Sequence, residues 1–370
     1  AWSAELVQAH RREARAWRLR AQVLLAYQQS LAARDALAKA VELAPEDEDL
    51  RLAMAALLDQ IGASTEVAAL RRKAKEPGEL LWAARVAYAA QYEDGDELKR
   101  LDRELQSRKW KDLPARVFLL GQVAELRERP LEALPWYLAV AEGPQFVQAR
   151  FRVAVIQARE LKDLSAMRAT LAALRSPDLD EGTAIDTYLL EGELLGGGGS
   201  TAEATAVYDA ALLQWPNDER LLYARAMQLV EADDIAGVER DLRRILSFDP
   251  DHAHALNALG YTLADRTDRR EEALLLIERA LALGPNEAAF IDSMGWIQYR
   301  MGNLEQAVDY LRRAYELLPD GEVAAHLGEA LWVSGEREEA NKIWSEALQR
   351  SPEDEALLET IRRLNPELNR

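Results

Sequence analysis

The chain has 370 residues, more than a single hydrophobic core usually supports, so several domains or a repeat array are expected. Its 64 acidic and 46 basic residues give a net charge of −18, which disfavours nucleic acid and anionic membranes as partners. The absence of cysteine excludes disulfides, thiolate metal sites and cysteine nucleophiles. No apolar run of about 18 residues is present, so we expect no membrane-spanning helix.

The N-terminal segment is basic, unlike the rest of the chain. Residues 1–13 are predicted to form a leading helix, and the chain begins at Ala1 without a signal peptide. We therefore expect a processed or truncated piece of a longer protein. Two interpretations of the basic residues stay open, a solvated helix face or a docking site for an acidic partner. The residues are Arg11, Arg12, Arg15, Arg18 and Arg20.

A repeat of about 34 residues runs from residue 14 to residue 352. Its clearest unit, residues 288–321, places small residues where two helices would approach, a large residue between them, and proline after the second helix. This pattern resembles the tetratricopeptide consensus, in which each repeat is a pair of antiparallel helices. Positions eight, twenty, twenty-four, twenty-seven and thirty-two are Gly295, Ala307, Leu311, Ala314 and Pro319.

The repeat units can be followed along the chain in one register. The unit at Ala253 needs one extra residue in its turn, within Asp265–Arg270, and residues 354–370 are predicted to be a capping helix and tail. We predict one all-α domain over residues 1–370, a right-handed superhelical solenoid of about ten helix pairs. The units begin at or near Ala14, Glu48, Glu79, Pro114, Phe146, Ile185, Glu219, Ala253, Ala288 and Gly321.

A glycine run, Gly196–Gly199, is followed by Ser200 and Thr201. A phosphate-binding loop would need a lysine before the Ser/Thr pair and a preceding strand. The sequence has no lysine there and predicts no strand. The run falls between the two helices of its repeat, where a turn is expected. Ser200 with Glu203 then predicts a capping box for the second helix.

Two histidines, His252 and His254, are the strongest candidates for a metal site. Residues two apart on a helix point to different sides, so we expect no functional metal site there. The sequence also lacks a nucleophile elbow, a Ser-His-Asp arrangement and a nucleotide fingerprint. We expect a chain without catalytic residues or cofactors.

The resemblance to tetratricopeptide repeats implies a concave groove lined by the first helix of each repeat. The residues that would point into this groove include Tyr, Trp and Arg, which are common at binding hot spots. For Trp296, Tyr299 and Trp332 two alternatives stay open, because the rings either contact a ligand or are partly buried by neighbouring repeats. The predicted groove residues are His254, Asn257, Tyr261, Asp265, Asp292, Ser293, Trp296, Tyr299, Arg300, His326, Glu329 and Trp332.

Three C-terminal segments go beyond the general repeat consensus, and they cover residues 254–265, 292–300 and 325–329. They read HALNALGYTLAD, DSMGWIQYR and AHLGE. They resemble a family of proteobacterial outer-membrane lipoproteins that includes an adaptor for a periplasmic carboxyl-terminal processing protease.

This family resemblance implies a binding protein on the periplasmic face of the outer membrane. Its partners would be the carboxyl-terminal processing protease and peptidoglycan hydrolase substrates, and its lipid anchor would lie outside this chain. The alternative is a structural scaffold for an envelope assembly, such as polysaccharide export or secretion.

Overall fold

The computed structural model describes residues 2–27, 29–45, 47–60, 85–87, 89–91, 93–107, 111, 115–176 and 179–368. They form two compact units, residues 1–174 and residues 175–370, here called the N-terminal and C-terminal units. Within the described ranges the regular structure is helical, without strands. None of the helices in these ranges is both long enough and apolar enough to cross a bilayer.

The N-terminal unit is built from helices of about two to four turns, and residues 85–87 and 89–91 are also helical. Its other helices are α1 (Trp2–Ala9), α2 (Ala14–Ala26), α3 (Ser30–Leu43), α4 (Glu48–Gln60), α5 (Gly95–Gln106), α6 (Arg116–Leu126), α7 (Pro130–Leu138), α8 (Phe146–Arg159) and α9 (Leu164–Ala172).

The C-terminal unit contains antiparallel helix pairs followed by a last single helix. Its elements are α10 (Glu181–Gly196), α11 (Thr201–Leu212), α12 (Glu219–Glu231), α13 (Ile235–Phe248), α14 (Ala253–Arg266), α15 (Arg270–Leu283), α16 (Ala288–Arg300), α17 (Leu304–Leu317), α18 (Gly321–Ser334), α19 (Arg337–Arg350) and α20 (Glu355–Leu364).

The helix boundaries follow the predicted repeat register. The predicted starts near Glu79 and Pro114 lie outside the described residues. The helix α10 begins earlier than predicted, at Glu181. In the unit at Ala253, for which one extra residue was predicted within Asp265–Arg270, α14 ends at Arg266 and α15 begins at Arg270. Predicted starts that are the first residue of a helix are Ala14, Glu48, Phe146, Glu219, Ala253, Ala288 and Gly321.

Aspartate side chains cap the beginnings of many helices. Asp218 Oδ1 accepts a hydrogen bond from the backbone N–H of Leu221 at 3.0 Å, and Asp354 Oδ1 accepts one from Leu357 at 2.9 Å. Each cap satisfies one of the four free amides of a helix end and typically contributes about 1 kcal/mol. The same arrangement occurs at Asp94, Asp163, Asp180, Asp234 and Asp320.

In five of the described helix pairs the two helices touch through a glycine on the first helix. A Cβ atom added at Gly295 would lie 2.5 Å from Leu311 Cγ, and one at Gly260 would lie 2.6 Å from Ile277 Cγ1. Real Cβ contacts are not this short, so each pair requires the missing side chain. The same overlap would occur at Gly121 with Tyr137, Gly192 with Tyr208, and Gly328 with Trp344.

Two second helices, α15 and α17, each hydrogen-bond through an arginine to the proline turn of the preceding repeat. Arg279 Nη2 donates to the backbone oxygen of Pro250 at 2.7 Å, and Arg313 Nη2 donates to that of Pro285 at 2.6 Å. The carbonyl groups after a helix end lack partners within the helix. The arginine of the next repeat supplies that missing donor.

The glycine run forms the predicted turn, with Gly199 at a φ of +82°. Ser200 occupies the N-cap position of α11, but the predicted capping box is wrong, because the Ser200 side chain makes no capping hydrogen bond. The backbone oxygen of Ser200 accepts from the Glu203 amide at 3.0 Å instead, and the Ser200 ψ of 54° is not the extended value of a usual N-cap.

We expect Gly328→Ala to lower the stability of the C-terminal unit, because the new methyl group would overlap the buried indole of Trp344. Overpacking of this kind costs about 1–3 kcal/mol, measurable as a lower midpoint of thermal unfolding by circular dichroism. Gly95→Ala is the matched control, since nothing lies within 4 Å of its Cβ position. In a Trp344→Leu background, which leaves room for the new methyl group, Gly328→Ala should cost less than in the parent chain. An unchanged midpoint for Gly328→Ala would show that close approach is not required.

Candidate functional site

The predicted groove residues all lie on first helices of the C-terminal unit, namely α14, α16 and α18. His254 is exposed, and six are half-buried: Asn257, Tyr261, Asp265, Tyr299, Arg300 and Trp332. Five are buried: Asp292, Ser293, Trp296, His326 and Glu329. Ligand binding by these residues stays a prediction, and burial shows that several of them also pack the repeats together.

Trp296 lies at the centre of an aromatic stack that joins α16 to α18. Its ring is 4.2 Å from the ring of His326 and 5.0 Å from the ring of Tyr299, and both pairs are stacked. Only 7% of Trp296 is exposed. Of the two alternatives for this ring, the structure therefore shows burial by the neighbouring repeats.

Asp265 ties α14 to the same stack. Its Oδ1 atom accepts from Trp296 Nε1 at 3.2 Å and from Arg300 Nη1 at 2.9 Å. Arg300 also donates to the Asp265 backbone oxygen at 3.0 Å. One carboxylate thus satisfies the indole and the guanidinium of the following repeat.

His326 connects three first helices through its two ring nitrogens. Nδ1 lies 2.9 Å from Asp292 Oδ2 on α16, and Nε2 lies 3.3 Å from the Tyr261 hydroxyl on α14. Tyr261 also donates to Glu322 Oε1 at 3.2 Å. Burial by itself lowers the pKa of His326, but the charge and hydrogen bond of Asp292, with Glu322 and Asp265 further away, outweigh it and raise the pKa.

Glu329 extends these contacts to the last helix. It accepts from the Tyr299 hydroxyl at 2.8 Å and from Arg363 at 3.0 Å and 2.5 Å. Burial and the Glu329 hydrogen bond raise the pKa of Tyr299, which keeps its hydroxyl a donor. We call the connected residues the polar–aromatic cluster: Tyr261, Asp265, Asp292, Trp296, Tyr299, His326 and Glu329.

Other predicted groove residues have different surroundings. The ring of Trp332 lies 5.6 Å from the ring of Trp344. The Arg337 guanidinium lies 4.9 Å above the Trp332 ring. His254 meets the ring of Phe290 edge-on at 5.3 Å. The Oδ1 atom of Asn257 is buried without a hydrogen-bond partner, which leaves an acceptor on this face of α14.

A separate cavity of about 340 Å³ lies between α12 and α14, and we call it the α12–α14 pocket. His252 caps α14 by accepting the Ala255 N–H at Nδ1, so it precedes the helix and faces the same cavity as His254. The expectation that the two histidines point to different sides is therefore wrong. The pocket is lined by Glu219, Arg220, Tyr223, Ala224, His252 and His254.

The N-terminal unit has a larger cleft, of about 870 Å³, on its own first helices. It includes Phe118 and Gln122 of α6 and Gln148 and Arg152 of α8. Glu125 at its wall accepts from Arg152 at 2.9 Å and 2.5 Å and from the Tyr137 hydroxyl at 2.6 Å. The cleft combines an apolar floor with polar groups that suit contacts to a polypeptide.

The predicted groove residues include one residue of the α12–α14 pocket, His254, and none of the N-terminal cleft. The signal was present, because Arg220, Tyr223 and Ala224 occupy positions two, five and six of the unit at Glu219. His254 and Asn257 hold positions two and five of the unit at Ala253, and both are predicted groove residues. In the described residues no group of three or more His, Cys, Asp or Glu side chains is arranged to hold a metal ion.

Comparison with known proteins defines the class of fold. A family model described as "Tetratricopeptide repeat" matches residues 291–320. A solved tetratricopeptide repeat protein from Parabacteroides merdae aligns over 67% of this chain and 97% of its own, with a TM-score of 0.53 and 15% identity. The fold is thus an all-α tetratricopeptide-repeat solenoid, as predicted, and it indicates a scaffold for protein–protein interaction.

A more similar sequence comes from Pseudomonas aeruginosa. Its "TPR repeat-containing protein" is 43% identical to this chain over 213 residues, which are 57% of this chain and 35% of that protein. This chain therefore spans about a third of the length of the curated relative that it matches.

We expect the stability of the C-terminal unit to depend on pH through His326. Its pKa is raised on folding, so the stabilisation is complete below the unfolded value of about 6.5 and is lost as pH rises through the folded value. Urea unfolding at a series of pH values should show this loss in the parent chain and a smaller one in His326→Gln. His10→Gln, at an exposed histidine, is the control. The same pH dependence in the parent and in His326→Gln would rule out this contribution.

Proposed function

We propose that this chain is a non-catalytic adaptor that delivers cell-wall hydrolases to a periplasmic carboxyl-terminal processing protease and helps to activate it. The observation that carries the proposal is the resemblance of residues 254–265, 292–300 and 325–329 to the lipoprotein family of that adaptor. Catalysis belongs to the protease, and the adaptor contributes binding surfaces.

The contacts of the polar–aromatic cluster support the proposal that these three segments act together. They lie on α14, α16 and α18, and residues that go beyond the general repeat consensus contact each other there. Asp292 with His326, and Tyr299 with Glu329, each join two of the segments. A cluster of this kind holds the first helices in a defined geometry, which a binding groove needs.

The proposed mechanism is a rise in local substrate concentration. An adaptor that binds protease and client at separate surfaces converts their encounter into an intramolecular one, which raises effective concentration by orders of magnitude. Anchoring at the periplasmic face of the outer membrane, through a lipid on a segment outside this chain, is part of the proposal. The first helices of the two units offer separate clefts for clients.

The proposal can be tested by reconstituted degradation. The chain, a purified carboxyl-terminal processing protease and a peptidoglycan endopeptidase are mixed, and endopeptidase loss is followed on gels with and without the chain. We expect clear acceleration, because the array brings enzyme and client together. A protease with its catalytic nucleophile replaced is the control, and it should show no loss in either case.

The other outcomes contradict parts of the proposal. Endopeptidase binding without acceleration would mean that this chain holds clients but does not dock the protease. Absence of binding to both proteins would favour a structural scaffold for an envelope assembly. Trp296→Ala is a poor probe of client binding, since removal of a buried tryptophan costs about 3–5 kcal/mol and would perturb the fold.

A further inference from the structure

Three aromatic side chains line the α12–α14 pocket, namely Tyr223, His252 and His254. The rings of Tyr223 and His252 are stacked with centroids 6.4 Å apart, and the ring of His254 meets that of His252 at 6.5 Å. Ala224 completes the apolar lining. Such rings attract a cation over their faces and also pack against an aliphatic stem.

The charged residues that line the pocket are Glu219 and Arg220. Arg220 lines the pocket, but its guanidinium lies 2.7 Å from Asp186 and 3.6 Å from Asp218. Glu219 adds a third carboxylate on the exposed first residue of α12. Asp186 and Asp218 thus offset the charge of Arg220, and the carboxylate of Glu219 then makes the pocket favour a cation over an anion.

The size and place of the pocket indicate a single side chain as its occupant. Its volume of about 340 Å³ is at the lower end of the range of ligand sites, which is about 300–1,000 Å³. Arg220, Tyr223, Ala224 and His254 occupy groove-facing positions of two consecutive repeats. A polypeptide in the groove would thus pass over the opening.

We propose that the α12–α14 pocket binds a basic side chain, lysine or arginine, of a client polypeptide. The aliphatic stem packs against Ala224 and the rings, and the cationic group lies between the ring faces and Glu219. This inference rests on the proposed adaptor function and specifies which feature of a client the array selects. The net charge of −18 favours the same class of client at long range.

The four histidines of the chain provide a direct test in solution. Two line the pocket, whereas His10 and His326 lie elsewhere and serve as internal controls. The chain is labelled with ¹³C,¹⁵N-histidine and titrated with N-acetyl-lysine amide while side-chain spectra are recorded. His252→Asn, which keeps a capping residue, and His254→Gln assign the signals. We expect shifts at His252 and His254 and none at the other two.

Analogues of the probe distinguish a site that recognises a positive charge from one that recognises only an apolar stem. N-acetyl-norleucine amide has a similar stem without the charge and should bind about threefold more weakly or worse. N-acetyl-glutamate amide should cause no shift. Equal shifts with lysine and norleucine, or no shift with either the lysine probe or its arginine counterpart, would overturn the proposal.

A matched pair of variants tests the contribution of Glu219. Glu219→Gln should weaken the lysine-dependent shifts, whereas Glu355→Gln should leave them unchanged. Glu355 is also an exposed first helical residue after a capping aspartate, but it lies on α20 away from the pocket. Equal effects of the two changes would contradict the proposal. Lysine binding tests the pocket, and accelerated degradation tests the adaptor function. The two are measured in separate experiments, so failure of one is distinguishable from failure of the other.

Discussion

The contact between a glycine on one helix and a large side chain on its partner is the constraint on which the rest of this structure depends. At Gly295 with Leu311, as at Gly260 with Ile277, the missing Cβ lets the helices of a pair approach closely. Close pairs then present their first helices side by side, because the second helices stack behind them. The polar–aromatic cluster, which lies on α14, α16 and α18, is a consequence of this spacing.

The cluster shows how one set of residues serves packing in an array of this kind. Trp296, His326 and Asp292 are of types that often bind ligands, yet here they satisfy one another across repeat boundaries. Aromatic side chains that line an open pocket lie earlier in the chain, at Tyr223 and His254. The cluster holds α14 through Tyr261 and Asp265, and the same helix forms one wall of the accessible pocket.

The sequence was sufficient to predict the fold class and the start of most described repeats, because small, large and proline positions recur at a fixed period. The same pattern predicts which side of a helix faces the groove, but not how deeply a residue is buried. Burial of Trp296 depends on its stacking against His326 of the next repeat, which is a contact between distant residues. The capping box at Ser200 and the orientation of His252 depend on local backbone angles that residue types alone do not determine.

The hydrogen bond between Tyr261 and His326 joins first helices that are two repeats apart. In most solenoids each repeat contacts only its neighbours, so that stability is a sum of local terms and unfolding can stop at any repeat boundary. A direct link from α14 to α18 removes that independence for residues 253–334. Under mechanical tension this part of the chain should extend in one cooperative step, while the repeats before it are free to yield one at a time.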